Sequence, residues 1–86
     1  MITATIETRK KVKGIMTTNR EIKVFNTSEE ARKVLKPIAT DMAICRKKKT
    51  TPAVEIMGVS YDHESEKRML LEIRAIVSVE NEEPDY

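Results

Sequence analysis

The stretch Met69-Leu70-Leu71-Glu72-Ile73-Arg74-Ala75-Ile76-Val77-Ser78-Val79 decides the fold. Every odd position in it is apolar or small, while Glu72, Arg74 and Ser78 fall on even ones. Alternation at a period of two is the pattern of a strand with one face in a core. The spacing therefore predicts a strand over 69–79, and its unbroken apolar face predicts a central place in the sheet. Leu70 and Ile76 lie opposite the main stripe.

Upstream, Ala53 to Tyr61 reads as a second strand, separated from the last by the polar turn Asp62-His63-Glu64-Ser65-Glu66-Lys67. Within it Val54 and Ile56 alternate against Met57, Val59 and Tyr61, so both faces carry apolar side chains. Before this pair, Thr27 followed three residues later by Glu30 matches a capping box, with Glu29 and Glu30 in the first turn. Ala31, Val34, Leu35, Ile38, Met42 and Cys45 then recur at helical spacing. The helix is predicted over about 28–46, kinked at Pro37 because proline removes one backbone donor while the stripe stays in phase. Arg46-Lys47-Lys48-Lys49 closes it, and Thr50-Thr51-Pro52 forbids continuation.

At the start of the chain, Ile2, Ala4, Ile6, Val12, Gly14 and Met16 occupy even positions, which predicts a strand over 2–16 interrupted near Arg9-Lys10. Thr17-Thr18-Asn19-Arg20 is the expected turn, and Glu21 to Phe25 the return strand. The fold class is α+β with the order ββαββ: two β-hairpins form a four-stranded, mainly antiparallel sheet with one amphipathic helix on one face. Residues 1–79 make a single domain, and 80–86 a short acidic tail.

With 86 residues and a formal net charge of +2, the chain is of ordinary globular composition. Cys45 is the one cysteine, so an internal disulfide is excluded, and one Cys with one His makes no closed zinc site. A lone thiol fits a reducing, cytoplasmic setting. No stretch approaches the roughly 20 apolar residues of a membrane span. With glycine only at 14 and 58, a glycine-rich phosphate loop is absent. No cofactor is implied.

His63 is the one histidine, the residue type suited to general acid–base work near neutral pH, yet no nucleophile signature accompanies it, so a solvated loop histidine is the expectation. Cys45 lies on the apolar stripe at a helix C-terminus, whose partial negative charge disfavours a thiolate, so packing is expected. No carboxylate is distinguished by its neighbours, and the expectation is a protein without catalytic activity.

Two basic clusters stand out, Arg9, Lys10, Lys11 and Lys13, and Arg46, Lys47, Lys48 and Lys49. Together they form the candidate charged surface toward a partner. One helix cannot cover two apolar sheet faces, so the leading expectation is a small protein-protein interaction module that self-associates, a dimer first, and also meets a protein partner. Its composition suits an accessory protein of a phage or mobile element. The alternative is binding of a nucleic-acid phosphate backbone through clusters 9–13 and 46–49. Against it stand the absence of interleaved aromatics and of any known nucleic-acid-binding motif.

Overall fold

The computed structural model describes residues 1–81 and has the order β1 (Ile2–Val12), β2 (Ile15–Phe25), α1 (Ser28–Lys48), β3 (Val54–Tyr61), α2 (Glu64–Asn81). The fold class is α+β, but the architecture differs from the expected ββαββ. Among the described residues the sheet has three antiparallel strands in the order β2-β1-β3, with two helices beside it. The decisive stretch 69–79 lies inside α2.

The physical reason is that this stretch satisfies two periods at once. Met69, Leu70 and Ile73 are buried and Val77 packs against the same core, which is helical spacing. Leu71, on the face predicted to be inward, is 52% exposed. Eighteen residues run from Glu64 to Asn81 without a proline or glycine, which is long for a strand and ordinary for a helix. Glu66 completes the start of α2 as half of a capping box, its carboxylate accepting from the backbone N–H groups of Asp62 at 2.9 Å and His63 at 3.2 Å. The supposed turn 62–67 is thus the beginning of a helix. The acidic stretch 80–86 begins within α2, and residues 82–86 lie outside the described ones.

The first hairpin also turns elsewhere than expected. Its loop is Lys13-Gly14, with φ of 52° and 82°, so both residues are left-handed, as a two-residue type I′ turn requires. Thr17, Thr18 and Asn19 lie within β2, and β1 runs through Arg9-Lys10 without interruption. The pairing is in register along the whole ribbon, from Ile2 opposite Phe25 to Val12 opposite Ile15.

α1 begins at the predicted cap, where Thr27 Oγ1 accepts from the Glu30 N–H at 3.2 Å and Glu30 accepts from the Asn26 N–H at 3.1 Å. It continues through the exposed Pro37 as one helix, two residues longer than expected. Its end is a Schellman motif: Thr50 N–H reaches Cys45 O at 2.8 Å and Lys49 N–H reaches Arg46 O at 3.1 Å.

Both helices lie on one side of the sheet. Ile2, Ala4 and Ile6 of β1 and Phe25 of β2 meet Ala31, Leu35 and Ala39 of α1 and Met69, Leu70 and Ile73 of α2. β3 reaches the same core through a bulge: Thr5 pairs with Gly58 but Ile6 pairs with Ile56, leaving Met57 as the extra residue. That one residue changes the parity of the strand. Val54, Ile56 and Val59 therefore all pack against the core, although their spacing in the chain alternates. The apparent second apolar face of this strand is an effect of the bulge, and the stretch 69–79 that was to supply more of it as a fourth strand is helical. No helix among the described residues is long and apolar enough to cross a membrane.

Candidate nucleic-acid interface

β3 pairs with β1 only from Ile2 to Thr8, and one further bond ties Arg9 N–H to Ala53 O at 2.7 Å. Beyond that tie β1 pairs, among the described strands, with β2 alone. Lys10 to Thr17 therefore form a free two-stranded ribbon, roughly 10 Å of strand plus the turn at about 3.4 Å per residue. All of its residues are exposed. Thr17 Oγ1 donates to Lys10 O at 3.1 Å, which adds a side-chain tie across the arm. Lys10, Lys11 and Lys13 project from it beside exposed Val12, Ile15 and Met16.

The second cluster lies at the same end of the molecule. Arg9 joins the hairpin root to the segment after α1, donating from Nη1 to Pro52 O at 3.2 Å and pairing with Glu55 at 3.0 Å. Glu55 in turn lines a shallow recess with Arg46, Lys49 and Thr50. The structure thus sets the root of the first cluster, at Arg9, beside the segment that follows the second; Arg9 itself has another role. Arg9 is the clamp of an ionic row on the open face of the sheet: Arg20 of β2 donates to Glu7 of β1 at 2.8 Å, and Arg9 holds Glu7 at 2.6 Å and Glu55 of β3. Glu7 and Glu55 face each other in register, an arrangement of like charges that only a bridging cation relieves. The hydrogen bond from Arg20, with the charges of Arg9 and Arg20, holds the Glu7 carboxyl below the usual carboxylate range. Arg9 is committed to the fold.

Lys10, Lys11, Lys13, Arg46, Lys48 and Lys49 make no ion pair among the described residues. Neither region contains an acid: none occurs from residue 8 to 20 or from 42 to 54. Lys47 completes the second cluster at the last turn of α1. Cations there also complement the helix dipole, which by itself requires no ligand. The backbone adds a feature that spacing alone does not reveal. Among the described residues, the two non-glycine residues with positive φ are Lys13, at 52°, and Lys49, at 58°. Glycine or asparagine is the easier residue in that region, so a lysine at each tip carries a steric cost of about 1 kcal/mol.

The other candidates lie apart from this end. His63 is exposed at the junction of β3 and α2, where its backbone caps the helix. Cys45 is half-buried on α1. Glu66 is buried against the α-amino group of Met1, whose hydrogen bond, together with those from Asp62 and His63, holds its pKa below the usual range; the same contact raises that of the amine. No group of three metal-ligating side chains occurs among the described residues. A mostly apolar groove of about 430 Å³ runs between β3 and α2, with Met57, Leu70 and Leu71 in its wall and Lys67 and Arg74 the charged groups along it.

No family model matches the chain, and no curated protein or solved structure matches it either.

Proposed function

We propose that this protein is a non-catalytic module that binds duplex DNA through the β1–β2 arm and the C-terminal end of α1. The observation that carries the reading is the projecting acid-free ribbon, with a lysine at the strained tip of each basic cluster. A two-stranded ribbon matches the roughly 12 Å major groove of B-form DNA, whereas the major groove of an A-form RNA helix is too narrow to admit it. Lys10, Lys11 and Lys13 would neutralise phosphates along the groove, and Arg46, Lys48 and Lys49 would meet the flanking backbone. Val12, Ile15 and Met16 supply an apolar tip able to touch thymine methyl groups or press against a base step.

If all six cations meet phosphates, log affinity falls with log salt at a slope of about −5, which is a roughly thousandfold loss between 50 and 200 mM. Fluorescence anisotropy with a labelled duplex tests this. The expected result is binding at low salt with that slope, and a slope nearer −3 for the triple variant Lys10→Glu, Lys11→Glu, Lys13→Glu. Failure to bind duplex at low salt, or preference for single strands, sinks the proposal.

A further inference from the structure

We infer that the outer edge of β2 pairs with β2 of a second copy about a two-fold axis at Ile22, giving a continuous six-stranded antiparallel sheet. The two edges of the sheet differ in a way that points to β2. The β3 edge is interrupted by the bulge at Met57, and the Ile56 N–H is taken by the Met42 thioether of α1 at 3.4 Å. Both features discourage strand addition. β2 has neither. It runs eleven residues without proline or a register shift, and Ile22 and Val24 are 69% and 56% exposed on the open face.

Charge complementarity favours the register centred on Ile22. An antiparallel pair related by a two-fold perpendicular to the sheet keeps both helical layers on the same side, so residues of like parity face each other. With Ile22 opposite the partner's Ile22, Glu21 faces the partner's Lys23 and Lys23 faces the partner's Glu21. Moving the axis to Glu21, to Lys23 or to Arg20 sets that residue against its own copy, a like-charge pair directly across the ladder. At Ile22 the strand is complementary to itself. The two isoleucines then meet on the open face, with each Val24 on the diagonal at about 7–8 Å, so exposed apolar surface is covered from both copies. Association does not depend on the DNA reading, because Lys10, Lys11 and Lys13 stay outside the paired segment, approximately 19–25.

Sedimentation equilibrium of the full chain at about 100 μM, where an association in the micromolar range is saturated, is the direct test. The expected species has twice the monomer mass of 9.9 kDa. Ile22→Lys, which places two lysines on the axis at a position exposed in the monomer, is expected to give 9.9 kDa with an unchanged circular dichroism spectrum. The register is tested by charge exchange: Glu21→Lys alone and Lys23→Glu alone should each weaken the dimer at least tenfold, and the double exchange should restore it. A monomeric wild-type chain, a ladder of larger species, or a dimer that survives Ile22→Lys overturns the inference. So does a double exchange that fails to restore association.

Discussion

Leu70 and Leu71 are adjacent and chemically identical, yet they give opposite readings of the decisive stretch. As part of α2, Leu70 is 6% exposed in the core and Leu71 is 52% exposed. In the alternating strand their places would be exchanged, with Leu71 inward beside Met69 and Ile73. Truncating a buried leucine to alanine costs about 2–5 kcal/mol, and the groove beside Leu70 favours the lower half of that range, so about 3 kcal/mol is expected. Leu71 already has half its surface in water, and alanine is the better helix former, so Leu71→Ala should cost less than about 0.7 kcal/mol. At roughly 2.1 cal/mol/K per residue, 86 residues give an unfolding entropy near 0.18 kcal/mol/K, and 3 kcal/mol becomes a fall in Tm of about 17 °C. Leu71→Ala should lower Tm by under about 4 °C. Thermal unfolding followed at 222 nm measures both. Equal shifts, or a larger one for Leu71→Ala, would refute the helical assignment and the core built on it.

Lys49→Gly should raise stability by about 1 kcal/mol by relieving the left-handed cap, and Lys13→Asn by about half that at the hairpin turn. Both should weaken DNA binding, so stability and affinity are expected to move in opposite directions in paired unfolding and anisotropy measurements. Glu7 and Glu66 have folded pKa values below the ordinary range, so the stability they contribute is present above the unfolded carboxylate value and is lost as pH falls through the folded one. An acid titration of Tm should therefore be less steep for Glu66→Gln than for the unsubstituted chain. The Met1 amine has a raised pKa, so its contribution is full below the usual α-amino value and is lost as pH rises through the folded one. Glu66→Gln should remove this alkaline limb as well.

Local chemistry made part of the molecule legible in the sequence. The Thr27 and Glu30 capping box and the stripe through Ala31 and Leu35 need only neighbours within a few residues, and they placed α1 closely. β3 was legible as a strand for the same reason. The hairpin was legible as a pair of strands but not at its turn, because Thr17-Thr18-Asn19 has turn-forming residues while Lys13-Gly14 shows only one glycine. The 69–79 stretch misled because Met69, Ile73 and Val77 fit both periods, and only length and the Glu64 to Glu66 start favour a helix. The bulge at Met57 had no local signal beyond Gly58, since its cause is the need to keep Val54, Ile56 and Val59 on one face. The two basic clusters were visible as sequence. Their common location, and the withdrawal of Arg9 into the ionic row, depend on tertiary pairing between residues some forty positions apart.

The position of β1 between its two partners also sets an order of events in time. Its pairing with β2 needs only the chain through Phe25, whereas its pairing with β3 joins Ile2 to Tyr61. Loop closure disfavours the longer connection, and at about 5–20 residues per second a ribosome takes roughly two to seven seconds to supply the intervening segment. For that interval the nascent hairpin has a bare inner edge and an uncovered row of Ile2, Ala4 and Ile6. Mutual repulsion between its lysines would hold such half-built hairpins apart on neighbouring ribosomes, so neutralising the arm with Lys10→Gln, Lys11→Gln and Lys13→Gln should lower soluble yield before it lowers the stability of the finished fold.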